Sequence, residues 1–385
     1  MSALETPLYV PSHARQKSST RWAFFIAGFG MAAWAPLVPF AKARAGLSEG
    51  SLGLLLLCLG AGSLVTMPLA GALAARFGCR RVIVAASLLT CLMLPLLTVA
   101  STWTTLAIAL ALFGAGLGSM DCTINLQAVM VEKNSDTPLM SGFHGLFSVG
   151  GIAGAAGVSL LLAVGASPQV AALVAVAIII AALLKCAPDL LPFGSSSSGP
   201  AFAIPHGVVL LIGAICFILF LAEGAMLDWS AVFLVESKQL ASAHSGIGYV
   251  AFACTMTLGR LTGDAVVHKV GRRRVVLLGT LTAAAGLALA TLSPSWQWAL
   301  VGFMLVGIGC SNVVPVMFSQ IGKQTVMPEH VAIPAVSTVG YTGILLGPAF
   351  IGFIAHASSL AVALLVLAAM LVGAGLLSLT MKLGD

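Results

Sequence analysis

Four acidic side chains lie inside long apolar stretches of this sequence, and their chemistry has to be accounted for first. Of 12 acidic residues, Glu5, Glu49, Glu132, Asp136, Asp189, Glu236, Glu329 and Asp385 fall in polar connections or at the ends of apolar runs. That leaves Asp121, Glu223, Asp228 and Asp264. An ionisable group in mid-span costs about 2.5–3.5 kcal/mol on insertion scales, so each marks a functional site or a compensated pair. Glu223 is the deepest, about sixteen residues into its run. A carboxyl there suits the loading and release of a proton; the plainer reading is a neutral acid hydrogen-bonded to its helix. Asp228, followed by Trp229 and Ser230, comes five residues later, about 140° further round a helix, and so points elsewhere. It is either a contact that meets an incoming solute or part of an interfacial tryptophan belt.

Asp121 and His144 each lie about six residues inside neighbouring runs, a depth of about 9 Å, and Asn125 is one turn from Asp121. Such a His-Asp-Asn cluster suits a proton relay or a closure at one end of the bundle. A static clasp, at roughly 0.6 kcal/mol per hydrogen bond, is the alternative. Arg260 and Asp264 are four apart and can pair along one helix face, either structurally or as a lock between halves. Glu132 is placed to meet Arg76 or Arg80 in a corresponding lock. Trp34 with Pro36 and Pro39, and Asn312 with Pro315, predict broken helices carrying an aromatic platform and an amide, and Tyr341 adds a hydroxyl. These groups suit the stacking and hydrogen bonding of a small polar solute, or simple packing.

The elements that position these residues follow from composition. The chain of 385 residues is 59% hydrophobic and only 8% charged, with a mean hydropathy of +1.07. Soluble domains carry about 25% charged residues, so this is an integral membrane protein. Each crossing takes about 20 apolar residues. The pattern predicts twelve helices near 21–41, 51–75, 80–100, 104–127, 138–163, 168–187, 207–235, 245–267, 273–293, 297–321, 331–355 and 358–380. The first run follows Arg21 with no small-residue cleavage site, which reads as a retained helix. No room remains for an extramembrane enzyme domain. The eight cysteines form no C-x-x-C pair and read as small apolar residues.

Charge sets orientation. With the N-terminus cytoplasmic, 14 of the 18 Lys and Arg residues lie inside and three outside (Lys42, Arg44, Lys238), with Arg260 in a span. This satisfies the positive-inside rule, puts both termini in the cytoplasm and explains the net charge of +6 without a nucleic-acid partner.

The sequence repeats at an offset of 193. Arg76-Phe-Gly78-x-Arg80-Arg81 maps onto Lys269-Val-Gly271-x-Arg273-Arg274, Gly114-x-Gly116 onto Gly307-x-Gly309, and Gly150 and Gly154 onto Gly343 and Gly347. The expected organisation is a tail (1–20), a six-helix half (21–188), a Ser/Gly/Pro-rich linker (189–206) and a second six-helix half (207–385). An even number of spans per half makes the repeats parallel, with a cavity expected where they meet. The offset carries Glu223 onto Gly30, so the acid has no symmetric twin.

The turn Gly71-Ala-Leu-Ala-Ala75-Arg76-Phe-Gly78-Cys-Arg80-Arg81 resembles the G-x-x-x-D-R-x-G-x-R-R signature of the major facilitator superfamily. The departure is that Ala75, and His268 in the second half, stand where the family has Asp, so the gating contact of that Asp is missing. Within the superfamily, three stretches resemble the YbjJ-type bacterial inner-membrane branch, akin to fucose/proton symporters. They are Asp121-x-x-x-Asn125 with Glu132 and His144, Glu223-Gly-Ala-Met-Leu-Asp228-Trp229-Ser230, and Gly340-Tyr341-x-Gly343-x-x-x-Gly347-Pro348. The resemblance implies an all-α fold of twelve transmembrane helices in two pseudo-symmetric halves, with the first, fourth, seventh and tenth helices lining the cavity.

The expectation is a secondary transporter, multi-pass in a bacterial inner membrane, moving a small polar solute by alternating access, with a sugar-like solute and proton symport favoured. Glu223, Asp121 and His144 are the proton-coupling candidates. Trp34, Asn125, Glu223, Asp228, Trp229, Asn312 and Tyr341 are the solute-binding ones. Arg76, Arg80, Arg81, Glu132, Arg260, Asp264 and Arg273 are the gating ones. No Walker A, H-E-x-x-H, G-x-S-x-G or paired metal-ligand spacing occurs, so neither an enzyme, a metal nor a cofactor is expected. The partners are then the solute, the proton and the lipid bilayer, and the chain is expected to be a monomer. A proton antiporter exporting cationic or amphipathic compounds is the first alternative, and a non-transporting receptor or scaffold of the same fold is the second.

Overall fold

A computed structural model of the chain describes residues 11–47, 49–195, 204–240 and 246–381. Every regular element among them is helical. Fourteen α-helices are numbered in chain order: α1 His13–Ala33, α2 Val38–Arg44, α3 Glu49–Phe77, α4 Cys79–Val99, α5 Trp103–Lys133, α6 Met140–Ala163, α7 Pro168–Cys186, α8 Val208–Glu236, α9 Ile247–Val270, α10 Arg272–Leu292, α11 Trp296–Cys310, α12 Val313–Ile321, α13 Glu329–Ala357 and α14 Leu360–Leu379. They form twelve segments long and apolar enough to cross a membrane, as the hydropathy pattern predicted. With backbone N–H and C=O bonded inside each helix, no polar backbone is left for lipid to solvate.

Two of the twelve segments are broken, and proline explains both. Pro36 and Pro39 lack the N–H that a continuous helix needs, so α1 stops at Ala33, a 3-10 turn spans Ala35–Leu37, and α2 resumes at Val38. Pro315 likewise removes a bond to the preceding turn, and the tenth segment divides into α11 and α12 at Ser311 and Asn312. Several ends differ from the hydropathy reading. α1 begins at His13, eight residues before Arg21, and α5 continues through polar residues to Lys133. The core of the expected linker, residues 196–203, lies outside the described residues.

Contacts sort the chain into two units. The first is Met1–Asn134, Leu146–Phe202 and Glu329–Val331; the second is Ser135–Gly145, Ala203–Pro328 and Ala332–Asp385. Two helices are thus shared: α6 begins in the second unit and α13 in the first. In the first unit α3 and α4 pack on α5, and α7 packs on α1 and α4. In the second, α9 and α10 pack on α11, and α14 packs on α8 and α10.

The 193-residue offset recurs in the glycines that let these helices close. A Cβ at Gly114 would strike the Leu59 carbonyl, and one at Gly307 the Phe252 carbonyl, which stands 193 residues on. Gly116 faces the Ala86 carbonyl, and Gly309 that of Gly279, again 193 residues on. Gly78 and Gly271 turn the chain between helices with φ of +85° and +86°, a region that strains any residue with a Cβ.

Arg44 and Lys238, two of the three basic residues that the charge count set apart from the rest, also have a structural use. In the first unit Arg44 donates from Nη2 to the Leu97 carbonyl at 2.7 Å and from Nε to that of Ala100 at 2.9 Å. In the second, Lys238 donates to the Thr291 carbonyl at 3.1 Å and to that of Ser293. Each cation therefore sits on the open carbonyls where α4 or α10 ends, where the helix dipole is negative. Burial pushes the Lys238 ammonium below its usual lysine range.

Candidate functional site

The polar residues of the second unit converge on one ion pair. Glu223 is in the middle of the 29-residue α8, and Arg260 is past the middle of the 24-residue α9. Arg260 Nη2 donates to Glu223 Oε1 at 3.1 Å, with the Arg side chain 8% exposed and the Glu side chain 19%. The sequence made Glu223 a lone acid and put Arg260 with Asp264 along one helix face. The structure gives Arg260 a partner on another helix, Glu223. The reason is that α8 and α9 pack side by side, a relationship that spacing along one helix does not reveal.

Asp264 has a partner outside its own helix as well. Its Oδ2 accepts the backbone N–H of Gly142 at 3.0 Å. Gly142 lies in the first turn of α6, where N–H groups lack partners within the helix, so the carboxylate acts as a cap supplied by a neighbouring helix. His144, also near the start of α6, has its ring 6.0 Å from that of Phe318 on α12, and Arg260 is its nearby charge.

Asn312 occupies the break between α11 and α12. Its Nδ2 donates to the Gly259 carbonyl at 3.1 Å and to Ser311 Oγ at 3.0 Å, while its Oδ1 fills the space that a Cβ on Gly263 would take. The amide thus holds the break against α9. Tyr249, on α9, lies within the electrostatic field of Glu223 and Arg260, and Cys216 and Cys310 lie within that of Glu223. Tyr341 packs edge-on against Phe220 with ring centres 6.0 Å apart. Asp228 is exposed, and Trp229 packs toward Gly352 with its indole Nε1 buried and without a hydrogen-bond partner.

Asp121 and His144 fall in different units. Asp121 is twelve residues from the end of α5, whereas His144 is four residues from the start of α6. Asn125 donates from Nδ2 to the Asp121 backbone carbonyl at 2.9 Å, and its own Oδ1 is buried without a partner. Trp34 is buried at the break after α1 with Nε1 unpartnered.

The basic turn of the first unit grips the segment after α7. Arg80 donates from Nε to the Leu190 carbonyl at 3.2 Å and from Nη2 to that of Pro188, and its backbone N–H donates to the Leu191 carbonyl at 2.8 Å. Buried Gln127 completes the grip: Oε1 accepts the Leu191 N–H at 3.2 Å and Nε2 donates to Thr20 Oγ1 at 2.9 Å. Ser19 Oγ donates to the Asp189 carbonyl at 2.8 Å. Arg76 lies over the Phe77 ring at 5.1 Å, and Arg81 is exposed. In the second unit Arg273, 193 residues after Arg80, donates to the Leu379 carbonyl at 3.4 Å. Glu132 is buried near the end of α5, and the adjacent Lys133 pairs with Glu329 at the start of α13.

Sequence reasoning passed over Gln127, Tyr249 and the Lys133–Glu329 pair. Gln127 had a signal, since the 193 offset carries it onto Gln320. Tyr249 and the Lys133–Glu329 pair had none short of the fold. Among the described residues no group of three His, Cys, Asp or Glu side chains could hold a metal ion.

Comparison with known proteins bears on the family and the fold. Residues 22–246 and 211–383 match the Major Facilitator Superfamily profile. An uncharacterised MFS-type transporter of Yersinia pestis is 55% identical over 349 residues, 90% of this chain and 91% of the relative. Membrane protein MosC of Rhizobium meliloti is 34% identical over 348 residues, 89% of this chain and 84% of the relative. Among solved structures, the Escherichia coli fucose:proton symporter FucP superposes with a TM-score of 0.80 at 16% identity, covering 95% of this chain and 98% of that one. The human organic anion transporter MFSD10 superposes at 0.76 with 14% identity, covering 96% and 100%. At these identities the two structures share the fold alone.

Proposed function

We propose that this chain, which belongs to the major facilitator superfamily of membrane transporters, is a proton-coupled secondary transporter of a small polar solute. The observation that carries the reading is the Glu223–Arg260 pair. Two opposite charges held mid-helix add little to stability relative to apolar packing, and breaking the pair by removing one partner costs about 3–5 kcal/mol. A membrane protein that keeps such a pair at this depth has a use for it. Arg260 cannot give up its proton, whereas Glu223 can take one, so the pair opens when Glu223 is protonated.

Glu223 is the proton-coupling residue in this reading, and Arg260 controls when it loads. The pair also weighs against export of a cation, because the guanidinium repels a positive solute that approaches Glu223. Asp121 with Asn125 and the indoles of Trp34 and Trp229 are further solute-facing candidates, and the last two are supported by their buried, unpartnered N–H groups. Asp264 on the α6 terminus, and Lys133 with Glu329, are contacts suited to alternating access. The charge asymmetry supports a bacterial inner membrane with both termini in the cytoplasm. A single chain carries every residue invoked, so a monomer suffices.

The test is solute-triggered proton movement in proteoliposomes loaded with a pH-sensitive dye, with sugars, sugar acids, amino acids and organic cations added in turn. A solute that moves protons in the wild type and not in Glu223→Gln supports the reading. Solute accumulation with no proton movement would make the protein a uniporter and remove Glu223 from coupling.

A further inference from the structure

We propose that the first unit binds an anionic glycerophospholipid on its outer surface, with Lys185 and Arg81 meeting the lipid phosphate and the exposed faces of α7 and α4 carrying the two acyl chains. The site stands apart from the proton coupling proposed above and adds a lipid of defined charge as a partner.

Three helix ends meet there. α7 packs on both α1 and α4. Arg80 donates to the Pro188 and Leu190 carbonyls and Ser19 to that of Asp189, so the starts of α1 and α4 lie beside the end of α7. Together the three helices carry Arg15, Lys17, Arg21, Arg80, Arg81 and Lys185, and no Asp or Glu. The acid that follows α7, Asp189, is 3.9 Å from Arg15. Arg80 is engaged with carbonyls, whereas Arg81 and Lys185 are exposed. Lys185 Nζ sits 4.5 Å from the centre of the Trp22 ring, which fixes the ammonium in place, and Trp22 meets Phe25 edge-on at 5.7 Å. A tryptophan beside a cation at the end of a span marks the level of the lipid headgroups. Arg81 is in the first turn of α4, where the helix dipole is positive, so the cation there favours an added anion.

Each of these two cations heads a strip of exposed apolar side chains. On α4, Arg81 is followed by Ala85, Leu88 and Leu92 at steps of four, seven and eleven, the spacing of one helix face, and all are exposed. On α7, which runs the other way, Lys185 is preceded by Ala181, Ile178 and Val174 at the same steps, and all are again exposed. Eleven residues of helix cover about 16 Å, one leaflet of a hydrocarbon core about 30 Å thick. A phosphate at the cations therefore lets two acyl chains lie on the strips through the depth of a leaflet. A free phosphate would use the cations and leave the strips bare, so the occupant is the whole lipid.

The repeat supplies an internal comparison. The offset of 193 carries the α4 strip onto Arg274, Leu278, Leu281 and Ala285 of α10, all exposed. It carries Lys185 onto Ser378, which is buried and donates to the Gly375 carbonyl, and Arg21 onto Ala214. α8 and α14, the counterparts of α1 and α7, have no Lys or Arg. A rule that places basic residues on one side of a membrane sets a total, and gives no reason to load α1 and α7 while their counterparts carry none. A headgroup site in the first unit gives that reason.

The experiment titrates the purified full-length protein in detergent with dioleoyl phosphatidylglycerol, dioleoyl phosphatidylcholine and glycerol 3-phosphate, reading the thermal midpoint and, by native mass spectrometry, the lipid bound. Phosphatidylglycerol is expected to bind and stabilise at lower concentration than phosphatidylcholine, and glycerol 3-phosphate to do neither. Arg81→Gln and Lys185→Gln should each weaken phosphatidylglycerol binding about fivefold, equivalent to the ~1 kcal/mol that a cation contributes beside anionic lipid. Arg81→Lys, which keeps the charge, should weaken it less, and Arg274→Gln should leave it unchanged. Equal binding of the two lipids overturns the proposal. Stabilisation by glycerol 3-phosphate that matches phosphatidylglycerol overturns it in favour of a free anion. A loss in Arg274→Gln as large as in Lys185→Gln overturns it in favour of general attraction between a basic surface and anionic lipid.

Discussion

Asp264 of α9 accepts the backbone N–H of Gly142 at 3.0 Å, so a carboxylate on one helix caps the first turn of another. A cap of this kind contributes about 0.5–2 kcal/mol. Asp264→Ala is therefore expected to lower the thermal midpoint of the purified protein. Asp264→Asn, which keeps an oxygen acceptor but loses the charge, should fall between the two. Equal midpoints for Ala and wild type would remove the cap.

Arg44 and Lys238 make a matched pair of predictions. Each sits on the open carbonyls at a helix end, where a cation contributes about 0.3–1 kcal/mol. Arg44→Gln and Lys238→Gln should each cost an amount in that range, and because the residues belong to separate units the two losses should add. Chemical denaturation of the single and double variants checks both points.

The grip on the segment after α7 predicts a local effect. Gln127→Leu leaves the buried Leu191 N–H unpaired at a cost of about 1–3 kcal/mol, and Arg80→Gln removes donors to two carbonyls of the same segment. Limited proteolysis should cut both variants faster than wild type between residues 187 and 195. Unchanged cleavage, with solute flux altered instead, would support the gating role that the sequence suggested for Arg80.

The helix closures carry a further prediction. Gly114→Leu and Gly307→Leu push a side chain into the carbonyls of Leu59 and Phe252, and overpacking of this kind costs about 1–3 kcal/mol. Both should destabilise, since the same contact is built twice. Midpoints like that of wild type would show that the helices can separate there freely.

The number of spans and the two breaks were legible because lipid demands apolar runs of fixed length and proline cannot donate within a helix. The end of α5 was not, because hydropathy measures the thickness of the membrane and a helix can continue past it through Gln127, Glu132 and Lys133. Glu223 was visible as a charge where charges are costly. Its partner was hidden, since Arg260 and Asp264 are neighbours in sequence spacing whereas Arg260 and Glu223 become neighbours only when α8 and α9 pack. Asn312 was seen as a marker of the break, but its grip on Gly259 depends on a glycine of another helix.

The central claim is that protonation of Glu223 opens its pair with Arg260 and so links solute to proton movement. The most direct test is solute accumulation in proteoliposomes under an imposed pH gradient with the membrane potential clamped at zero, wild type against Glu223→Gln. The account expects accumulation in the wild type that follows the pH gradient, and a loss of at least about tenfold in the variant. Accumulation in Glu223→Gln equal to that of wild type would contradict it.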